Sequence, residues 1–260
     1  MIQNASTFLA IKLVSVPIFV WTISIIGRKW GHSIGGLILG LPLTSGPVLF
    51  FLALEQGNIF ASGAALGTLM GLIPLSTSCL VYSVLSFRLS WARSLVGCCI
   101  AYFAVALLLN SVSAPPVLSL LVVVAFLAVI WRLFPSGAVG HVSRESPNWE
   151  IPARMIAATT LVLLITEYAT MLGPHLSGLL TPFPAYATIL GVFILKFDGA
   201  NACALFLRGV ITGCFTTAMF LFLIASFIVQ FGLFPVMGVA ILAALVMHSF
   251  LLYLFRKNKW

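Results

Sequence analysis

Two short segments rich in proline, glycine and hydroxyl groups hold the residues of this chain best suited to bind a ligand. The first reads Leu41-Pro-Leu-Thr-Ser-Gly-Pro47 and the second reads Thr181-Pro-Phe-Pro-Ala-Tyr-Ala-Thr188. Each proline removes a backbone donor and clashes with the preceding helical turn, so neither segment predicts a regular helix. We predict a substrate-binding site formed by Pro42, Thr44, Ser45, Gly46, Pro184, Tyr186 and Thr188.

Two kinds of group in these segments can contact a solute. Hydroxyls can donate hydrogen bonds, and the free amides at the start of a half-helix favour an anionic group. The alternative is that the hydroxyls only satisfy the carbonyls that the prolines leave unpaired.

Five ionisable side chains are candidates for gating or coupling. The contacts Lys12–Glu55 and Arg154–Asp198 are predicted, one near each face of a membrane. Lys12 and Arg154 are equivalent positions in an internal repeat with a shift of 142 residues, which is described below. These pairs are either gates that open alternately or ordinary interfacial ion pairs. Glu167 is either a proton-coupling acid or an interfacial carboxylate.

The sequence gives no indication of an enzyme. It contains no HExxH or P-loop motif and no paired carboxylates. His32, His175 and His248 lie far apart without metal-ligand spacing, and the five cysteines lie in apolar stretches, so we expect neither metal nor cofactor. The basic residues are scattered in short loops, which argues against a nucleic-acid surface.

The elements that carry these residues must be membrane helices. The chain is 62% hydrophobic and 7% charged, against about 25% charged residues in a soluble domain, so its surroundings are lipid. Charges and Pro/Gly clusters divide it into nine predicted transmembrane helices at 6–27, 33–54, 59–86, 91–111, 116–134, 152–172, 175–196, 200–229 and 234–255. The prolines break the second and seventh spans near mid-depth. The prediction is an all-α, polytopic helical bundle in a lipid bilayer.

The basic residues predict an orientation. With the N-terminus outside and the C-terminus cytoplasmic, only Lys12 of the thirteen Lys and Arg residues falls on the outer side. Arg208 then lies slightly inside the bilayer, where it either binds an anion or extends to the cytoplasmic interface.

An internal repeat relates the two halves. When residues 12–85 are compared with 154–227, five of the six glycines in the second segment coincide with glycines in the first. The predicted organisation is a four-helix repeat at 1–112, a linking helix and cytoplasmic loop at 113–150, and a second four-helix repeat at 151–260. Five spans separate equivalent positions, so equivalent helices cross the membrane in opposite directions, as in many secondary transporters.

Two motifs carry a resemblance to a family. Leu41-Pro-Leu-Thr-Ser-Gly-Pro47 and Leu54-Glu-Gln-Gly57 resemble a stretch found in a family of uncharacterised bacterial inner-membrane proteins. Ser177-Gly-Leu-Leu-Thr-Pro-Phe-Pro184 is more weakly similar to the small GlpM-like membrane proteins. The resemblance implies a multi-pass protein of the bacterial inner membrane and supplies no substrate.

Paired broken helices favour a secondary transporter or exporter of a small organic solute that works by alternating access. The alternative from a different class is a non-transporting membrane subunit that assists envelope-polymer or lipid biosynthesis. Either protein is compatible with a homo-oligomer.

Overall fold

All the regular elements of the described chain are α-helices. The computed structural model describes residues 13–14, 17–18, 21, 37, 41–42, 45–112, 114–135, 149, 152, 155–156, 159–160, 163–164 and 167–258. The helices in these ranges are α1 (Ser45–Gln56), α2 (Asn58–Ser86), α3 (Trp91–Leu109), α4 (Pro116–Leu133), α5 (Ala169–Leu180), α6 (Ala185–Phe197), α7 (Ala200–Phe231) and α8 (Leu233–Asn258).

Five of the described helices, α2, α3, α4, α7 and α8, are long and apolar enough to cross a membrane. Their bounds agree with the predicted spans 59–86, 91–111, 116–134, 200–229 and 234–255. Water is a poor solvent for helices of this length and apolar composition, whereas lipid is a good one, so the chain is a helical membrane protein. The predicted spans 6–27, 33–54 and 152–172 lie wholly or partly outside the described residues.

Helices α2 and α7 form an antiparallel pair at the centre of the bundle. Near the start of α2, the Ser62 hydroxyl donates to the Ala225 carbonyl near the end of α7, at 2.7 Å. Near the end of α2, Tyr82 and Cys203 both lie within 4 Å of a Cβ built at Gly191, and Cys203 is at the start of α7. Because low numbers on one helix meet high numbers on the other, the two run in opposite directions.

The remaining long helices surround this pair. Helix α3 packs on α2, α8 packs on α7, and α4 contacts both central helices. In its most apolar stretch α2 buries 78% of its residues, whereas α3, α4 and α8 each bury 22%. The outer faces of these three helices are therefore apolar and exposed, as lipid contact requires.

The described basic residues gather at one end of the bundle. Trp131, at the end of α4, donates from Nε1 to the Thr212 hydroxyl near the start of α7, at 3.1 Å. The same end holds the α2–α3 turn and the last turns of α6 and α8, because α7 runs antiparallel to α2 and is joined to α8 by the single residue Gly232. Basic residues at these positions are Arg88, Arg93, Arg132, Lys196, Arg208, Arg256 and Lys257.

Candidate functional site

The second proline-rich segment interrupts the helix as its composition predicts. Helix α5 ends at Leu180 and α6 begins at Ala185, with Thr181, Pro182 and Pro184 all buried between them. A further kink lies within α5 at Gly173, where φ is 73° and Pro174 follows. The break is therefore inside the protein, where non-helical backbone is tolerated in a membrane.

The break packs against one face of α2 that is formed by Gly63, Gly67 and Gly71, here called the glycine face. A Cβ built at Gly71 would lie 2.6 Å from Cγ of Pro182 and 2.9 Å from the Leu179 carbonyl oxygen. One turn earlier, a Cβ at Gly67 would collide with the backbone carbonyl of His175. Glycines four residues apart lie on one side of a helix and let two backbones approach closely, and here the partner is α5.

The contact is close from the α5 side as well. A Cβ built at Gly178 would collide with the Ala64 carbonyl of α2, and it would lie 2.8 Å from the amide nitrogen of Thr68. Glycine is required on both helices, since backbone atoms cannot move aside as a flexible side chain can.

Each of the last four carbonyls of α5 has a donor within the protein. Ser177 O accepts from the Thr181 hydroxyl at 2.7 Å, and Leu179 O accepts from the Tyr102 hydroxyl at 2.8 Å. The amide of Thr181 donates to Gly178 O, and that of Phe183 donates to Leu180 O. On this side of the break the hydroxyls of Thr181 and Tyr102 satisfy carbonyls, whereas for the predicted site hydroxyls of Ser45 and Thr188 both alternatives stay open.

Aromatic side chains of α3 hold the break from the side. The rings of Tyr102 and Phe183 meet edge to face with centroids 5.1 Å apart, and those of Phe103 and Phe183 stack at 5.6 Å. Sequence reasoning missed this contact because α3 carries no proline, and its one charged residue, Arg93, is nine residues before Tyr102.

The amide side of the break is chemically different. The first intrahelical bond of α6 runs from the Thr188 amide to Pro184 O at 2.8 Å. The amides of residues 185–187 precede this bond, so the helix itself gives them no acceptor. Aligned amides at a helix start carry partial positive charge and favour an acceptor or an anion.

The first proline-rich segment has a similar start. The chain bends at Leu41 and Pro42, the Gly46 amide donates to Pro42 O at 2.8 Å, and α1 begins at Ser45. Ser45 is buried, and a Cβ built at Gly46 would lie 3.9 Å from the Phe220 ring of α7. The first break therefore contacts α7, whereas the second contacts α2.

Several predicted site residues lie outside what the structure describes. Thr44, Lys12 and Arg154 fall outside the described residues, and the Tyr186 side chain does too, although its backbone is in α6. The contacts Lys12–Glu55 and Arg154–Asp198 therefore stay predictions. The partners of these pairs, Glu55 and Asp198, are half-buried, and Glu55 precedes the last residue of α1.

The three acidic residues that the structure describes all lie at helix ends. Glu55 lies in the last turn of α1, Asp198 directly follows α6, and the exposed Glu167 precedes α5. No described carboxylate lies beside either break, so the described polar groups there are amides and hydroxyls.

A cation–π contact was also missed by the sequence reasoning. The guanidinium carbon of Arg208 lies 4.2 Å from the Trp131 ring centroid, and Thr212, which accepts from Trp131, donates to Arg208 O at 3.0 Å. The contact fixes α4 to the basic end of α7. The long sequence separation of Trp131 and Arg208 left no local signal for it.

Comparison of the chain with protein-family models, curated proteins and solved structures gives no match.

Proposed function

We propose that this protein is a secondary transporter, working as an importer or an exporter, that carries a small organic solute by alternating access. The observation that carries the proposal is the course of the two short helices. Helix α1 ends beside the start of α2, and α6 ends beside the start of α7. Since α2 and α7 are antiparallel, α1 and α6 run to opposite ends of the bundle.

The lengths of these helices support a site at mid-depth. Helices of 12 and 13 residues extend only about 18–20 Å, whereas the hydrocarbon layer is about 30 Å thick. Both must therefore begin inside the membrane. Half-helix starts at mid-depth, one from each half of the chain, are the arrangement in which many transporters bind their solutes.

We also propose that the two halves form an inverted repeat within a nine-span protein. Two pairs of helix starts support it. A shift of 142 takes Asn58, the first residue of α2, to Ala200, the first residue of α7. The same shift takes Trp91, the first residue of α3, to Leu233, the first residue of α8. Antiparallel packing of α2 on α7 is what inversion of such a repeat requires.

Two glycines support the repeat independently. Gly57 and Gly199 are related by the same shift, and their backbones match, with φ 87° and ψ 170° against φ 88° and ψ 177°. This region of conformational space is accessible almost only to glycine.

The proposed location is the bacterial inner membrane, with the C-terminus in the cytoplasm. The gathering of basic residues at one end of the bundle supports the orientation, since short cytoplasmic loops collect Lys and Arg. The resemblance of Leu41–Pro47 and Leu54–Gly57 to bacterial inner-membrane proteins supports the location.

In the proposed mechanism, the solute binds at the starts of α1 and α6. Pro42, Pro182 and Pro184 keep these starts open by ending the preceding helical turns, and Ser45 and Thr188 lie in the first turns. The carbonyls at the end of α5 are already bonded, so the solute meets donors more than acceptors. Rocking of the halves would open the site to each face in turn, with Lys12–Glu55 and Arg154–Asp198 as the proposed gates.

Accessibility of the breaks from both faces tests this function. In a variant with all five natural cysteines replaced, single changes Ser45→Cys and Thr188→Cys are labelled with a membrane-impermeant maleimide. The reagent is applied to sealed vesicles of each orientation. If access alternates, each cysteine reacts from both faces, and its labelling rate is lower than that of a cysteine in an exposed loop.

Two matched positions control the labelling. Leu127→Cys is fully buried on α4 and is expected to stay unreactive, whereas Asn110→Cys is exposed after α3 and is expected to react from one face only. If Ser45→Cys and Thr188→Cys both behave like Leu127→Cys, or both react from one face alone, transport by alternating access is wrong. A non-transporting subunit would give that result.

A further inference from the structure

A buried imidazole on α8 has no hydrogen-bond partner in the part of the chain that the structure describes. His248 is 6% exposed, and among the described residues neither of its ring nitrogens is hydrogen-bonded. A neutral imidazole carries one donor and one acceptor, and burying either without a partner costs free energy. An unpaired buried imidazole therefore points to a ligand that the structure does not contain.

A second unpaired polar group lies at the same height on α7. The Thr216 hydroxyl is fully buried and has no partner in the described part of the chain. Helices α7 and α8 are antiparallel and joined at Gly232, and Thr216 and His248 are each 16 residues from it (232 − 216 and 248 − 232). Residues equally distant from such a turn lie level with each other along the two helices.

The level of this pair is close to the middle of the bundle. Thr216 lies one turn from Phe220, the residue of α7 that is nearest to Gly46 at the start of α1. The pair is thus near the first break, in the region where the proposed function places the solute.

Packing does not require polar side chains at these positions. The 142-residue shift takes Thr216 to Pro74 and His248 to Ala106, which are both buried on α2 and α3. At these two positions the equivalent pair of helices therefore packs with apolar residues. The polar pair is particular to the second half, which favours a binding role over a structural one.

The charges around the pair limit what the ligand can be. On the elements that pack against α8, which are α7 and α1, the described charged residues are Arg208 and Glu55. Arg208 is eight residues from Thr216, about 12 Å along α7, and Glu55 is at the far end of α1. Of these two described charges the nearer one is therefore positive, which favours an anionic solute over a cationic one.

The donors present match one kind of anion. An imidazole N–H and a threonine hydroxyl supply two donors, which is the number that the two oxygens of a single carboxylate can accept. A phosphate carries nearly twice the charge and would need a guanidinium or ammonium group, which the described residues at this level do not provide.

We propose that His248 and Thr216 bind the carboxylate of a small monocarboxylate solute. The proposal rests on the proposed function, since it identifies the class of solute that the same central region takes. His248 and Thr216 provide the two side-chain donors, and the amides at the start of α1 lie nearby.

Histidine NMR tests the site without measuring transport. The chain has four histidines, so the protein labelled with ¹⁵N-histidine in lipid nanodiscs gives few imidazole signals, and the His248 signals are assigned from His248→Gln. The protein is titrated with sodium propionate, and with sodium phosphate and choline chloride at matched ionic strength. Propionate is expected to shift the His248 signals saturably, and the other two salts are not.

Variants of the second donor make the test specific. Thr216→Val should raise the half-saturating propionate concentration about tenfold or more, since hydrogen bonds to charged groups contribute about 1.5–3 kcal/mol, and Thr216→Ser should restore binding. Ser249→Ala is the control, because Ser249 is next to His248 but exposed and bonded to Leu245 O. It should leave the titration unchanged.

The outcomes separate this inference from the proposed function. If propionate does not move the His248 signals, or moves them equally in Thr216→Val, the carboxylate site is wrong even if both breaks are labelled from both faces. If propionate binds as expected but the breaks are not reached from both faces, the carboxylate site stands and transport fails. Shifts caused by choline would overturn the anionic class directly.

Discussion

The contact between α5 and the glycine face of α2 predicts a graded response to alanine substitution. In Gly71→Ala the new methyl group would lie 2.6 Å from the Pro182 ring, and in Gly178→Ala it would collide with the Ala64 carbonyl. Gly238→Ala is the matched control, since a Cβ at this helical glycine of α8 has no neighbour within 4 Å.

The magnitudes follow from what each methyl group meets. Overpacking a well-packed interior costs about 1–3 kcal/mol, and we expect Gly71→Ala in that range because the proline ring can shift slightly. Gly178→Ala should cost more, since backbone faces it on α2 and the helices must separate. Gly238→Ala should be neutral or stabilise by up to about 1 kcal/mol through helix propensity.

Thermal unfolding in detergent measures these differences. A maleimide dye that fluoresces on reaction with thiols reports unfolding, because Cys79, Cys98, Cys203 and Cys214 are buried in the folded protein. At about 2–4 °C per kcal/mol for a chain of this size, Gly71→Ala should lower the midpoint by about 2–12 °C, and Gly178→Ala by more.

One result would refute the packing. If Gly178→Ala and Gly71→Ala unfold at the same temperature as Gly238→Ala, then α5 does not rest on this face of α2. The buried position of the second break would be lost with it, and so would the argument for a site at mid-depth.

Two further predictions use the same unfolding assay. Tyr102→Phe keeps the ring contact with Phe183 but leaves Leu179 O without its donor, so it should destabilise the folded protein by about 1–3 kcal/mol. The control is Tyr253→Phe on the exposed face of α8, which should leave the unfolding temperature unchanged. Gly57→Ala and Gly199→Ala should each destabilise the protein by about 1–3 kcal/mol through backbone strain alone, because φ is positive at both and no atom lies within 4 Å of either added Cβ. Clearly unequal losses of stability would contradict the proposed repeat.

Hydropathy and proline positions correctly predicted the bounds of the five long helices and the position of one proline break. The predicted span 59–86 compares with α2 at Asn58–Ser86, and 91–111 compares with α3 at Trp91–Leu109. The break in the predicted seventh span lies at Thr181–Pro184, where the prolines are. These features are local, since they depend on the apolar length needed to cross a membrane and on a missing backbone donor.

The candidate site was harder to predict than the helices. The broken segments were identified, but the sequence left open whether their hydroxyls bind a solute or satisfy carbonyls. The structure shows that Thr181 does the latter, which turns attention to the amides at the start of α6. It also adds Tyr102, which no pattern in α3 marks.

His248 shows most clearly what a spacing argument misses. In the sequence it is a lone histidine without metal-ligand spacing. In the structure it is a buried imidazole level with Thr216, whose hydroxyl has no partner among the described residues. Whether a polar group has a partner depends on the neighbouring helix, and sequence alone does not reveal that neighbour.

The sequence by itself determined that this is a helical membrane protein, where its long helices run and where proline breaks one of them. Only the tertiary structure decided which helices meet: α2 against an antiparallel α7, and the glycines of α2 against α5. The physical reason is that lipid and proline act on each segment separately, through the solvation of its own side chains and amides. Close packing between helices depends instead on the shapes that two distant segments present to each other.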